Sequence, residues 1–344
     1  MHSFSSRLIA WQRVHGRHDL PWQGADAYHV WLSEIMLQQT QVATVIPYYR
    51  RFTALFPTIA ALAAATEEQV LAHWSGLGYY ARGRNLHRAA QIIMEKHHGE
   101  FPREYGQILE LPGIGRSTAA AICALAWHER CAILDGNVKR VLARYCGISG
   151  STGEKAVEAR LWQQAEALLP QHDIAAYIQA QMDLGATLCT RSKPKCGECP
   201  VSSECVAFQS GLVSELPTPR QRKAVPERNA TFLLLMHGRD ILLEKRPGSG
   251  IWGGLWCPPQ FDNEEQARDW FLTNGMDADH GERLEIFTHT FTHFKLHITP
   301  LNIQLARKPL RAAQAGNVWL SVDDALQAAI PAPVRALLNK LRRE

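Results

Sequence analysis

Leu111-Pro112-Gly113-Ile114-Gly115 separates a helical stretch at 105–110 from a stronger, Ala-rich one at 117–127. Proline ends the first helix, and the two glycines permit a turn tighter than most side chains allow. The N–H groups of such a turn, together with the helix N-terminus that follows, make a positively polarised cradle that suits a phosphate. A plain connector uses the same residues, so the turn alone leaves both readings open.

Working outward, apolar residues recur every three or four positions from residue 4 to about 207, with breaks at Pro21, Pro47, Pro57 and Pro102. That pattern predicts an all-α first half. Gly211, Pro217, Pro219, Arg220, Arg222, Lys223 and Pro226 then form a Pro-rich, basic stretch that reads as a linker over 208–226. Beyond it, 231–236 and 241–244 flank a His-Gly-Arg-Asp turn and predict a hairpin, and 288–301 alternates as a longer strand pair. Segments 265–272 and 333–341 read as helices, so 227–344 is expected to be α+β. A chain of 344 residues accommodates two such cores.

Composition excludes some classes and leaves others open. With 46% hydrophobic and 20% charged residues the chain is neither disordered nor membrane-like, and its apolar runs are too short to span a bilayer. A net charge of +4 permits a nucleic-acid partner without requiring one. Residues 1–18 lack acids, as transit leaders do, but Phe4, Leu8, Ile9, Trp11 and Val14 suit an amphipathic helix. An intracellular protein is therefore expected.

Four of the eight cysteines, Cys189, Cys196, Cys199 and Cys205, crowd one segment, whereas Cys123, Cys131, Cys146 and Cys257 are scattered. In an intracellular chain this density predicts a metal site rather than disulfides. Four thiolates can close a zinc tetrahedron or hold a cubane cluster; with only one close pair, the spacing leans toward the cluster. Two carboxylates also stand out. On a helix over 30–38, Glu34 falls among Val30, Trp31 and Leu37, where desolvation would raise its pKa and suit it to general-acid work. Most helix glutamates are solvated or ion-paired, so position alone does not assign that role. Asp135 precedes a helix opening near Asn137 and reads first as an N-cap.

Leu-Pro-Gly-Ile-Gly-Arg-Ser-Thr-Ala at 111–119, Ile133-Leu134-Asp135-Gly136-Asn137-Val138-Lys139-Arg140-Val141 and the four cysteines together resemble the helix-hairpin-helix DNA glycosylase superfamily. Trp31-Leu32-Ser33-Glu34-Ile35-Met36-Leu37-Gln38-Gln39-Thr40-Gln41 and Trp74-Ser75-Gly76-Leu77-Gly78-Tyr79-Tyr80-Ala81-Arg82 further resemble its MutY branch, which acts on adenine. The resemblance implies a multidomain protein, with an all-α helix-hairpin-helix domain at 1–207 carrying a [4Fe-4S] loop, a linker at 208–226 and an α+β Nudix-like domain at 227–344. It places cluster ligands at Cys189, Cys196, Cys199 and Cys205, and a flipped-out adenine protonated at N7 by Glu34 while Asp135 stabilises the sugar cation.

The same resemblance assigns DNA or base contacts to Gln39, Tyr79, Arg82, Leu111, Gly113, Gly115, Ser117, Lys139 and Arg140. The superfamily's glycosylase–lyases carry a Schiff-base lysine two residues after the second hairpin glycine; here Ser117 stands there, which implies a monofunctional enzyme. In the C-terminal part, Arg246-Pro247, Gly253-Gly254-Leu255-Trp256 and Pro258-Pro259 resemble a Nudix domain. Glu264, Glu265 and Asp269 do not form the magnesium-binding Arg-Glu-x-x-Glu-Glu pattern of a working Nudix hydrolase. Phe291-Thr292-His293 matches a Phe-Ser-His turn that reads 8-oxoguanine, although strand alternation would place Phe291 and His293 on one face. The implied partner is double-stranded DNA with A:8-oxoguanine or A:G mispairs, bound by a monomer. A noncatalytic DNA-binding redox sensor, the rival from another class, would need neither Glu34 nor Asp135.

Overall fold

Helix α1 (Phe4–His15) begins where the Ser3 hydroxyl accepts from the Ser6 amide, and α2 (Ala27–Leu37) where Asp26 accepts from His29. Short polar side chains at these positions satisfy first-turn amides that have no helical partner. Helices α3 (Val42–Leu55), α4 (Ile59–Ala64), α5 (Glu67–Trp74), α6 (Ala81–Lys96), α7 (Tyr105–Leu109), α8 (Arg116–Trp127), α9 (Gly136–Tyr145), α10 (Lys155–Ala167), α11 (Ile174–Thr187) and α12 (Val206–Gln209) complete the helical half. The computed structural model describes residues 3–219, 224–274, 281–308 and 316–343; Arg220, Arg222 and Lys223 of the expected linker lie outside them. No helix among the described residues is long and apolar enough to cross a membrane.

The chain falls into two compact units, residues 1–64 with 88–222 and residues 65–87 with 223–344. The division departs from the sequence expectation in two places: 65–87 groups with the C-terminal unit, and 208–219 of the expected linker groups with the first. In the first unit α2 buries Tyr28, Val30, Trp31, Leu32, Ile35 and Met36. A helix apolar on all sides lies inside a core, so a carboxylate on it is held away from water. Helix α2 packs on α3 and α8, and α11 packs on α1, α8 and α9. Leu8, Ala124, Leu142, Tyr177 and Leu184 meet in the core beside them. Gly185 sets the closeness of α11 to α9, since a Cβ there would stand 2.6 Å from the Asn137 Cβ.

The second unit is built on a mixed sheet of β1 (Glu227–His237), β2 (Asp240–Lys245), β3 (Trp256–Cys257), β4 (Gln260–Phe261), β5 (Gly281–Arg283), β6 (Phe287–Thr290), β7 (Lys295–Gln304) and β8 (Asn317–Ser321). Strands run β3-β2-β1-β7-β5, with β4 paired to β1, β6 to β7 and β8 to β2; β1 and β7 are parallel and the other pairs antiparallel. Ala230 through Met236 of β1 are all buried, as expected of a central strand covered on both faces. Helix α13 (Glu264–Thr273) covers one face through Ala267 and Phe271, against Leu233, Leu242 and Leu301. Helices α14 (Val322–Gln327) and α15 (Ala332–Leu341) close the chain. The predicted hairpin is present, with Met236 opposite Ile241 and Gly238 at positive φ in the turn. Helix α5, started by a Thr66–Gln69 capping box, belongs to this unit: Glu68 pairs with Lys245 at 2.9 Å and Ser75 donates to the Ile330 carbonyl.

Candidate active site

Glu34 is a half-buried carboxyl on α2, a helix otherwise wrapped in apolar side chains. Burial, and after it the nearby Asp135 carboxylate, push Glu34 up to about 8. Asp135 is the N-cap of α9, and its Oδ1 accepts the Val138 N–H at 2.7 Å. Burial raises Asp135 as well, but the Val138 and Asn137 amides and the Arg140 and Lys139 charges work against that rise. Two adjacent carboxyls thus sit in unlike surroundings. One is held neutral near pH 7, and the other is supplied with donors that favour the anion.

The glycine turn borders this pair. Ser117, in the first turn of α8, accepts the Leu134 N–H at 3.0 Å, which ties the helix to the residue before Asp135. From the end of α2, the Gln38 amide reaches the Gly113 carbonyl at 3.4 Å and the Thr118 hydroxyl at 3.5 Å. Gly113 takes φ +81°, a conformation L side chains rarely adopt. Among the described residues the Gly113 and Gly115 amides donate to no backbone carbonyl, so both remain available to an anion. Leu111, expected as a DNA contact, instead has its side chain in the core and both backbone polar groups bonded within the turn, to Ile108 and Ile114. It anchors the turn.

Three predicted cationic contacts are also engaged within the protein. Lys139 pairs with Glu158 at 2.6 Å. Arg140 donates to the carbonyls of Cys189 and Gly185 at 2.8 and 2.7 Å and to Asn137 Oδ1 at 2.9 Å. Arg82 is only 8% exposed, donates to the Leu77 and Gly78 carbonyls and is lowered to about 10 by burial. These residues are legible in sequence as charge, but Glu158, Cys189 and Gly185 lie too far away along the chain to be read as their partners. Gln39 and Tyr79, expected to enter a base stack, are exposed and both hold positive φ, at 56° and 48°. Non-glycine residues persist in that region where surrounding structure enforces it, as functional loops do.

Cys189, Cys196, Cys199 and Cys205 line one cavity with Leu184, Val201 and Phe208. Among the described residues, no three of these thiols lie within 4.8 Å of one another. Zinc–sulfur bonds of about 2.3 Å would hold tetrahedral sulfurs about 3.8 Å apart. The wider arrangement suits a cluster with an iron at each thiolate. Arg144, one turn beyond Arg140, is buried and donates to Cys189 Sγ at 3.4 Å and to the Thr190 carbonyl at 2.7 Å. In sequence Arg144 reads only as added charge; its spacing of four from Arg140 on one helix face is the available signal of a shared internal partner.

In the second unit, Phe291 N–H donates to the Phe294 carbonyl at 2.9 Å, closing a turn between β6 and β7. The alternative, in which Phe291 and His293 share a strand face, does not hold, because strand alternation does not apply to this turn. Phe291 stacks on Phe294 with centroids 4.4 Å apart, while Thr292 and His293 are exposed at the tip. The tip offers a hydroxyl and an imidazole on a rigid aromatic base.

Comparison with known proteins matches three successive stretches of the chain. Residues 32–167 match the model of the HhH-GPD superfamily of base excision DNA repair proteins, 189–205 the iron-sulfur binding domain of endonuclease III, and 230–340 the NUDIX domain. The chain is 39% identical over 342 residues to an adenine DNA glycosylase of Buchnera aphidicola subsp. Acyrthosiphon pisum (strain APS), covering 99% of this chain and 98% of that one. It is 33% identical to the adenine DNA glycosylase of Homo sapiens, covering 98% and 73%. Among solved structures, a thermostable thymine-DNA glycosylase aligns with TM-score 0.55 at 28% identity, over 60% of this chain and 95% of that one. A non-covalent endonuclease III–DNA complex aligns with TM-score 0.50 at 20% identity, over 59% and 93%, which is a likeness of fold.

Proposed function

The chain belongs to the adenine DNA glycosylase family, and from that premise we propose that it removes adenine placed opposite 8-oxoguanine or guanine in duplex DNA, working as a monomer and leaving an abasic site. It is an N-glycosyl hydrolase of base excision repair that releases adenine, and it carries a [4Fe-4S] cluster. We assign the cluster to Cys189, Cys196, Cys199 and Cys205; it supplies a rigid crosslink for the loop that Arg140 and Arg144 hold from α9.

The observation that carries the reading is the Glu34–Asp135 pair, one carboxyl raised to about 8 and its neighbour capped by a helix N-terminus. In this assignment Glu34 gives its proton to N7 of a flipped adenine as the C1′–N9 bond breaks and its electron pair moves to the base. Asp135, as the anion, stabilises the positive charge that grows on the sugar. Water then delivers hydroxide to C1′, and its remaining proton restores a neutral carboxyl in the pair. Ser117 has no amine to attack the sugar, so the strand stays intact. Thr292 and His293, at the tip supported by Phe291, are assigned to reading the opposite base.

The test is single-turnover base release from duplexes holding adenine opposite 8-oxoguanine, guanine or thymine, each product split with and without alkali. Release opposite 8-oxoguanine and guanine but not thymine, with breaks only after alkali, is expected. Equal release from all three, or breaks without alkali, would overturn the reading.

A further inference from the structure

Cys123 and Cys131 look unrelated in sequence, yet the fold brings them together with Glu129. Helix α8 ends in a left-handed residue, His128, at φ 59°. This turn returns the Glu129 N–H to the Cys123 carbonyl at 3.2 Å, and the Cys131 N–H then donates to the Glu129 carbonyl at 2.8 Å. Such helix-end bonds fold the departing chain back over the last turn. Two thiol sulfurs and a carboxylate oxygen consequently lie within 4.8 Å of one another, with Cys123 buried and the other two half-buried. Neither base release nor the iron-sulfur loop uses these residues.

We propose that Cys123, Glu129 and Cys131 form a site for one thiophilic divalent cation of the zinc or cadmium type, separate from the iron-sulfur cluster. Thiolate and carboxylate bonds to zinc, at about 2.3 and 2.0–2.2 Å, draw such atoms to a little under 4 Å, so modest side-chain rotation completes the set. The half-exposed side leaves a fourth position for water. On binding, the two thiols release their protons to solvent, and the cation with two thiolates and one carboxylate carries a net charge of −1. Arg103, whose Nε lies 3.4 Å from Glu129, is placed to offset it. A disulfide is the competing use of the two cysteines. It has no need of the carboxylate that lies with the two sulfurs. The geometry therefore favours the cation. Cys131 lies four residues before Asp135, so an occupied site would pin the end of α8 to the connector that carries Asp135.

The test uses the cluster-loaded protein, reduced with a phosphine and titrated with Zn²⁺ or Cd²⁺. Wild type should take up one equivalent, show a thiolate-to-cadmium charge-transfer band, and keep its iron content and visible absorbance. Its thermal midpoint should rise with metal, as ligand linkage requires. Cys131→Ser should lose the band and the thermal shift while keeping its iron, and Glu129→Gln should bind about tenfold more weakly or worse. Absence of uptake by the reduced wild type, uptake undiminished in Cys131→Ser, or iron loss in step with uptake would each overturn the proposal.

Discussion

The Ser117 hydroxyl accepts the Leu134 N–H at 3.0 Å, so the side chain two residues beyond the hairpin glycines touches the segment that ends in Asp135. In the proposed assignment Asp135 stabilises the reacting sugar, so position 117 is expected within reach of it too, and what it does there depends on its functional group. Ser117→Lys is expected to add strand cleavage without alkali and a borohydride-trappable protein–DNA adduct, because an amine there can form an imine. Ser117→Ala should form no adduct and lose about 1 kcal/mol of stability. Denaturing gels with and without borohydride distinguish these outcomes; a lysine variant that forms no adduct would place the sugar elsewhere.

Asp135 combines a structural cap with a charge. Asparagine caps helices nearly as well as aspartate, so Asp135→Asn should keep the thermal midpoint within a few degrees while slowing single-turnover base release by roughly 100-fold or more. Asp135→Ala should also lose about 1 kcal/mol of stability. A fully active asparagine variant would leave the residue as a cap alone.

Arg140 binds two carbonyls and one side-chain oxygen inside the protein. Arg140→Ala is expected to destabilise the fold by about 2–3 kcal/mol and to lower iron retention, measured by thermal melts and iron assay. Lys139→Met, which removes the partner of Glu158 and one of the charges that favour ionised Asp135, should leave the salt dependence of DNA binding unchanged. A fall in that slope by about one would restore Lys139 as a phosphate contact.

At the β6–β7 turn, Thr292 and His293 are exposed on a stacked Phe291–Phe294 base. Thr292→Ala and His293→Ala should narrow the preference for adenine opposite 8-oxoguanine over guanine by roughly 5- to 30-fold each, as loss of a hydrogen bond predicts, with little change opposite guanine. Competition between the two duplexes measures this directly; unchanged preference in both variants would move recognition away from the turn.

How far the sequence can be read follows the range of the interactions. The Asp135 cap, the hairpin glycines and the cysteine spacing are local patterns, and each lies where its local chemistry points. The internal bonds of Arg140 and Arg144 to residues 185–191 join segments some 45 positions apart, which periodicity does not encode. The assembly of Cys123 with Cys131 depends on a helix cap at His128 that has no glycine to announce it. Residues 65–87 read as one more part of the helical half, yet their hydrogen bonds run to 245, 253 and 330. The turn at 291–294 is legible from the resemblance of Phe291-Thr292-His293 but not from periodicity, because Phe291 and Phe294 resemble strand residues; their stacking supports a bend rather than an extended pair.

The central claim is that a protonated Glu34, held neutral by burial beside Asp135, starts base release. The most direct measurement is the pH dependence of single-turnover adenine release, in wild type and Glu34→Gln, at enzyme concentrations that keep the duplex fully bound. With Glu34 raised to about 8, the active acid form persists below that value and is lost above it. The wild-type rate should therefore be flat through neutral pH and fall about tenfold per unit beyond about 8, while Glu34→Gln binds the duplex but releases adenine too slowly to show that break. A wild-type rate that stays level roughly two units above the break with binding intact, or a glutamine variant as fast as wild type, would contradict this role for Glu34.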